Sequence, residues 1–497
     1  MKFILLDLSQ KAVLPETLLY TASFLKQKNL AEMQSIYRID SYDDFEELIN
    51  NLPFNLEHNS CILFWQQDWI YPGKTFLMLK IARQIKQSFP SVRLVCSGSL
   101  PTQCPDLFFN EQLFDIILRG YPWASSEWAT MDKAHAPTIC ISSHPHHLPE
   151  DLSLSEGFKF VSNSKKMFGL QSDGNIQSTY YSSFHCDNRC PFCFNSAFYK
   201  LGGSIIKSMD TIKEEIPLLK NNYNVNMLKN EDNNIFCSLE HGRDVLNYLA
   251  ATNDLKLVGN MDVMVRDLTS KNIALLHKAG VNQIFFGIES LNPETRTKLN
   301  KEFDDTDLHR AIEYGSKKGI VFVGNVLVGV ANSANNPLNL KCLEDEKKLI
   351  LDMLNKYPNL CLQLRIFMPL LGTPIGDKIW SETSINDNMD LETYLRLIDA
   401  IIFNKEFPQK LPLPSCYESI DVIKEAANFS TALNALNQLR KQGFEKLKGR
   451  SLYSIYIIYE KLLRTLLKLG FYKILHFNKA FFDSKVIRKL LNRFLVE

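Results

Sequence analysis

HCDNRCPFCFN, residues His185 to Asn195, places three cysteines at Cys186, Cys190 and Cys193. Random placement of the chain's 11 cysteines would produce a Cys-x3-Cys-x2-Cys pattern roughly 0.005 times per chain, so the spacing is not accidental. Three thiols are one short of a closed structural zinc or iron–sulfur site. Structural zinc modules pair Cys-x2-Cys knuckles with a second pair of donors. The candidates for a fourth donor here are His185, too close along the chain to Cys186 for easy geometry, and Cys237, which stands alone. The alternative is a cubane whose three irons take the three thiolates and whose fourth iron stays open. An open metal position binds substrate or cofactor, whereas a closed one only holds structure. Pro191 suits such a loop: it disfavours helical φ/ψ at Cys190 and fixes its own φ, which lowers the conformational freedom of the chain before a cluster binds.

Outward from this loop, the chain between residues 173 and 382 repeats a strand–helix unit. IQSTYYSSFHC, VNMLKN, LKLVGNMDVMV, NQIFFGIE, VFVGNVLVG and LCLQLRIFM read as strands. SMDTIKEEIPLLKN, GRDVLNYLAA, TSKNIALLHKAG, DTDLHRAIEYGSKKG and LEDEKKLILDMLNK read as the helices between them. Thr269 stands where an N-cap belongs, and Gly280 and Gly319 stand at C′ positions. Six such units make an incomplete (β/α) barrel, whose chemistry is expected at the carboxyl ends of its strands. The cysteine loop follows the first of these strands.

Residues 1–130 alternate strands (KFILLDL, CILFWQ, SVRLVCSG, FDIILRG) with helical patterns, which argues an open parallel sheet with its ligand edge at the strands' carboxyl ends. Residues 131–172 carry Pro, His and Ser with little periodicity and are expected to be a linker. Residues 383–497 turn to helices without strands. The last of these, SLYSIYIIYEKLLRTLLKLGFYKILHF, is interrupted by Glu460, Lys461, Arg464 and Lys468 and reads as an amphipathic helix, not a membrane span. The fold class is therefore α/β, in three parts plus a linker.

A formal net charge of +1 gives no electrostatic reason to expect a nucleic-acid partner. Eleven cysteines in 497 residues are not a disulfide framework, and MKFILLDLSQ lacks the longer apolar run and cleavage site of a secretory signal. Reduced thiols and a cytoplasmic location are expected, and membrane contact is not predicted.

With motif, strand context and partial barrel in agreement, the central segment resembles the radical S-adenosylmethionine (SAM) superfamily, whose mark is Cys-x3-Cys-x-aromatic-Cys; Phe192 fills the aromatic place. The resemblance implies a [4Fe-4S] cluster on Cys186, Cys190 and Cys193, whose open iron chelates SAM and whose electron cleaves it to a 5′-deoxyadenosyl radical. It implies that Phe192 neighbours the adenine and that Glu231 and Asp232, in NEDNNIF, lie near the amino end of SAM. DVMVRDLTSKNIALLHKAGVNQIFFGIES is similar to a further family block. By that likeness Glu289, at the end of the fourth strand, accepts hydrogen bonds from the ribose or amino group of SAM, with Arg266 as its ion-pair or orienting partner. Asn325 points into the barrel, Gly324 and Gly329 allow close approach to a ligand or a tight bend, and MPLLGTPIGDKIW is similar to the turn that ends the barrel.

The first domain resembles the Rossmann-like cobalamin-binding domain found ahead of many radical SAM methyltransferases. SGSLPT and GYPW stand where that family has Gly-Gly-x-His-Pro-Thr and Gly-Glu-Gly-Glu, and no Asp-x-His-x-x-Gly offers a lower cobalt ligand. The resemblance implies that the loop from Trp65 to Trp69, Gln66 included, lies under cobalt, and that Ser97, Gly98 and Ser99 line the nucleotide-tail pocket. The implied function is cobalamin-dependent methylation of an unactivated carbon. The rival outcomes are a cobalamin-linked cyclisation or oxidative rearrangement, and a zinc-stabilised binding protein without catalysis. Expected partners are a small-molecule, peptide or lipid substrate and an electron donor such as flavodoxin or ferredoxin.

Overall fold

The computed structural model describes residues 1–9, 14–52, 56, 59–67, 71–131, 137–163, 167–252, 255–259, 261–383, 389–402, 411–447, 464–465 and 467. They divide into two compact units, Met1–Gly259 with Leu370–Asp377 and Ile385–Ala400, and the remainder from Asn260.

The first unit opens with a parallel sheet of β1 (Lys2–Asp7), β2 (Met33–Arg38), β3 (Ser60–Gln66), β4 (Arg93–Gly98), β5 (Ile116–Gly120) and β6 (Thr138–Ser142), in the order β2-β1-β3-β4-β5-β6. Every residue of β3 and β4 is buried, as expected of parallel strands covered on both faces by helices. The order reverses between β1 and β3, and the crevice outside the carboxyl ends at such a reversal is where doubly wound sheets bind ligands. β6 lies in the stretch that reads as irregular linker. It covers the open edge of β5, and its burial alternates as an edge strand's does.

The same unit continues through β7 (Gly169–Leu170), β8 (Ile176–Tyr180), β9 (Ser183–Phe184), β10 (Ile205–Ile206), β11 (Met227–Asn230) and β12 (Lys256–Leu257). β8, β11 and β12 are parallel, while β9 and β10 form a small antiparallel ladder. The helix Met209–Tyr223 begins at Ser208, whose hydroxyl accepts from Thr211 N, and ends at Asn224 in the left-handed region.

The second unit contains a parallel sheet of β13 (Met261–Asp262), β14 (Gln283–Glu289), β15 (Val321–Val328) and β16 (Leu360–Ile366) in sequence order. Thr269 caps the helix Ser270–Lys278 by accepting from Asn272 N, and Gly280 and Gly319 have the positive φ of helix-ending glycines. The helix Ile420–Leu447 lies along β16. Ser430 Oγ and Asn437 Nδ2 donate to the carbonyls of Leu364 and Leu362 at 2.7 and 2.6 Å, so the open edge of that strand is satisfied by side chains two helical turns apart. Among the described residues no helix is long and apolar enough to cross a membrane. The C-terminal aromatic, basic segment lies outside the described residues apart from 464, 465 and 467.

Candidate metal centre and active site

The cysteine loop is built on β8 and β9. Beyond Tyr180 the chain turns at Ser182 and Ser183, whose amides donate to Asp232 Oδ1 at 2.7 and 3.1 Å, while Ser182 Oγ donates to Oδ2. Burial pushes the Asp232 carboxyl up to about 6. Asp232, expected near the amino end of a ligand, is thus wholly enclosed and committed to holding this turn. Its neighbour Glu231 pairs with Lys229 at the partly exposed end of β11.

His185 occupies the left-handed region at φ 64°. Its Nδ1 lies 2.9 Å from Asn195 Oδ1 and its Nε2 lies 2.6 Å from the Tyr121 hydroxyl. With Asn195 Oδ1 as acceptor, Nδ1 carries the proton and Nε2 accepts from Tyr121. Burial lowers the imidazole to about 3, so the ring is neutral, and it stacks on Phe198 with centroids 3.8 Å apart. The His185–Asn195 bond joins the two ends of the cysteine loop. With both ring nitrogens engaged, His185 is no metal donor, and burial pushes the other candidate, the Cys237 thiol, up to about 12, away from the thiolate a metal needs.

Within the loop Cys186 and Cys190 are buried and Cys193 is partly exposed. Asn188 donates to both buried sulfurs, from its amide to Cys186 Sγ at 3.4 Å and from Nδ2 to Cys190 Sγ at 2.8 Å. Such bonds favour thiolates and tune an iron–sulfur centre. Asp187 fastens the loop to the start of β10 by accepting from Ser204 N and Oγ at 2.8 and 2.7 Å. The carbonyl of Pro191 accepts from Ile375 N at 3.0 Å, in the Gly-Thr-Pro turn, and Phe192 is half-buried on the loop. Among the described residues no three of His, Cys, Asp and Glu converge as ligands of a single metal ion. The donor set, three thiols on one short loop with two of them accepting from Asn188, is the kind a cubane takes, each thiolate at a separate corner.

At the carboxyl edge of the first sheet the structure gathers Gln66, Ser97, Gly98 and Ser99. Trp65 pairs with Ser97 and Gln66 with Gly98 across β3 and β4. Gly98 has φ 122°, and a Cβ there would run into the Gln66 carbonyl, so only glycine lets the strand ends approach this closely. Gln66 Oε1 accepts from Thr75 Oγ1 at 2.7 Å, Ser97 Oγ donates to Gly120 O at 2.9 Å, and Ser99 Oγ donates to Gln67 O. These side chains shape the edge. Its unspent polar capacity lies in Trp65 Nε1, Trp123 Nε1, His144 Nε2 and the Gln103 amide, all buried without a hydrogen-bond partner. Trp65 and Trp123 stack on Tyr121 at 6.0 and 5.1 Å. Buried unsatisfied donors on the ligand edge of a doubly wound sheet fit a large polar cofactor. Trp69 falls outside the described residues.

A buried charge network, which no motif announces, underlies the loop. Lys207 Nζ lies 2.5 Å from Glu16 Oε2 and 2.8 Å from Glu215 Oε2. Glu16 Oε1 accepts from Tyr181 N at 3.0 Å, and the hydroxyls of Tyr180 and Tyr20 donate to Glu215. Burial raises Glu16 to about 7. Burial alone would lower Lys207, but the two carboxylates outweigh it and hold the ammonium above the usual lysine range. Glu16 and Tyr20 come from the first helix of the molecule, so the sheet of β1–β6 and the cysteine loop share one foundation.

In the second unit Glu289 ends β14. Its ion-pair partner is Lys301, Nζ to Oε1 at 3.1 Å, and not Arg266, which is exposed on the short turn Val265–Asp267. Gly324 does not serve close approach of a ligand: a Cβ there would stand 2.8 Å from both Ile288 Cδ1 and Leu362 Cδ2, so it makes room for side chains of the neighbouring strands. Gly329, at φ 90°, accommodates the Tyr417 ring. Asn325 Oδ1 and Glu289 Oε2 are both buried and without a hydrogen-bond partner, which fits a ligand bearing donors.

Residues 180–333 match the Radical SAM superfamily. That segment holds the cysteine loop, Glu289 and Asn325. The chain is similar in fold to the radical S-adenosylmethionine methyltransferase TsrM from Kitasatospora setae, solved with cobalamin and a [4Fe-4S] cluster, at 12% identity, covering 94% of this chain and 99% of that one, TM-score 0.57. A second TsrM structure, with tryptophan substrate and a SAM analogue, aligns at 13% identity over 87% and 89% of the two chains, TM-score 0.53. The cobalamin-dependent radical enzyme OxsB, with aqua-cobalamin bound, aligns at 14% identity over 99% of this chain and 75% of that one, TM-score 0.51. At these identities the likeness is one of fold. No curated protein sequence matches the chain.

Proposed function

We propose that the protein is a cobalamin-dependent radical SAM methyltransferase acting on an unactivated carbon of a small-molecule, peptide or lipid substrate. The observation that carries this reading is the joining, in one chain, of the Cys186–Cys193 loop to a doubly wound sheet with unspent buried donors at its ligand edge. A [4Fe-4S] cluster, SAM and cobalamin, when bound, supply radical formation and methyl transfer.

The chain's own residues bind and orient these groups. Cys186, Cys190 and Cys193 would ligate three irons, leaving the fourth for SAM, and Asn188 would stabilise two of the thiolates. Asp232 and His185 hold the loop's approach and its closure. Phe192 offers the adenine an apolar neighbour, Glu231 the sulfonium ligand's amino end an acceptor, and Glu289 and Asn325 accept from the adenosyl group. Gln66, Ser97, Gly98 and Ser99 shape the corrinoid edge. A reduced flavodoxin- or ferredoxin-like donor would deliver the electron.

Anaerobically reconstituted protein incubated with cell extract and methyl-labelled SAM tests the reading. Expected are iron and sulfide absorption, retained corrinoid, 5′-deoxyadenosine, and a labelled product heavier by about 14 Da than its precursor, since a methyl replaces a hydrogen. A product formed without methyl gain would replace methylation by cyclisation or oxidative rearrangement. Turnover in protein that retains no corrinoid, with none added, would remove the cobalamin step.

A further inference from the structure

The cysteine loop carries a cation that holding a cluster does not use. Arg189, the residue before Cys190, is exposed; its Cζ lies 4.2 Å from the centroid of the Tyr199 ring, and it donates to the Tyr199 hydroxyl. Lys200, which follows Tyr199 at the end of the short helix Asn195–Tyr199, is exposed as well. Among the described residues neither cation pairs with a carboxylate. The loop's own carboxylate, Asp187, has both oxygens turned to Ser204. Asp377, on the turn that meets Pro191, accepts from Gly372 N at 2.7 Å.

A long side chain at a surface ordinarily keeps its rotamer freedom. The ring beneath Arg189 removes part of that freedom before any partner arrives, so a partner that binds there has less ordering to offset. Arginine and tyrosine are also the residue types that most often dominate binding between proteins. Position says which partner. Arg189 is joined by one peptide bond to Cys190, and Cys193 is the partly exposed thiol of the loop. A redox protein seated here would stand one residue from a cluster ligand. We propose that Arg189, stacked on Tyr199, and Lys200 form the docking surface for the electron donor, a small acidic one-electron carrier protein whose carboxylates pair with the two cations. One electron leaves the reduced carrier and enters the cluster, with no bond made or broken. The proposal rests on the radical SAM reading and adds to it the place and the charge of the donor's contact.

Its test is stopped-flow reduction of the full-length, cluster-reconstituted protein by flavodoxin hydroquinone, followed by the loss of visible cluster absorbance. The bimolecular rate of the wild type is expected to fall steeply as salt is added, because attraction between exposed charges is screened. Arg189→Glu combined with Lys200→Glu should lower that rate about tenfold or more at low salt and flatten its salt dependence. Iron content, thermal melt and the extent of reduction by dithionite should stay at wild-type values. Arg189→Lys, which keeps the charge and lacks the planar guanidinium, should recover part of the rate. A wild-type rate with flavodoxin in the doubly reversed protein overturns the proposal, and so does a wild-type rate that does not change with salt. Should Arg189→Glu impair the loop, seen as a cluster that dithionite no longer reduces fully, Lys200→Glu alone carries the same test from outside the loop. An unchanged rate and salt dependence in Lys200→Glu then overturns the proposal. Wild-type protein that assembles no cluster at all would instead defeat the underlying functional reading.

Discussion

At the scale of single residues, what the sequence conveys well is chemistry that announces itself by spacing. Cys190→Ala is expected to abolish cluster assembly, read as loss of iron and of visible absorption, while the circular-dichroism melt stays at the wild-type temperature; SAM cleavage at an undiminished rate in that variant would end the radical SAM reading. What spacing does not convey is partnership across long separations. Lys207 lies far from Glu16 in sequence, and only the fold shows that the two bury each other's charge. Arg266 was the expected partner of Glu289 because it is near in the motif, yet Lys301 reaches it. Asp232 looks like a rim carboxylate in sequence and is an internal brace in the structure. Removing one member of a buried ion network leaves the others uncompensated, so Lys207→Met should cost about 3–5 kcal/mol in urea denaturation. The same network sets a pH dependence. Burial raises Glu16 to about 7 and Asp232 to about 6, so between about pH 4 and 7 the native state holds protons that the unfolded chain has released. Stability is therefore expected to fall as pH rises through that window and to level off above it, and Glu16→Gln should flatten the slope.

At the scale of elements, the strands buried on both faces were legible, and the edge strands were not. KFILLDL, CILFWQ and FDIILRG are apolar runs because helices cover both sides of them. β2 and β6 keep one side in contact with solvent, with partly polar sequences MQSIYR and TICIS, and such stretches give a weak signal. Capping signals at Thr269, Gly280 and Gly319 were local and therefore readable. The role of the helix Ile420–Leu447 was not, since nothing in its sequence says that Ser430 and Asn437 face the carbonyls of β16. Asn437→Leu would leave the Leu362 carbonyl unsatisfied and is expected to destabilise the second unit by about 1–3 kcal/mol, seen as a lower denaturation midpoint with iron content unchanged. An unchanged midpoint would mean that this edge needs no such cover.

At the scale of the whole molecule, pattern suggests three parts and a linker, while the described residues divide into two compact units that part at Gly259, inside the strand–helix repeat. The mutual dependence of the parts leaves no such pattern. Among the contacts that join the first sheet's region to the cysteine loop are the Glu16–Lys207–Glu215 network below it and the Tyr121–His185 hydrogen bond at its entrance. A chain lacking residues 1–130 would leave a buried lysine short of one carboxylate and the His185 ring short of its donor. Such a truncated protein is expected to take up little iron on reconstitution, and full iron incorporation into it would show the two parts to be separable. The Glu16–Lys207 contact also bears on how the molecule comes to exist. Synthesis runs from the N-terminus, and domains generally fold as they emerge. The helix that carries Glu16 is therefore complete before Lys207 leaves the ribosome, so the part that would cradle one cofactor is in place as the mould on which the thiols for the other are set.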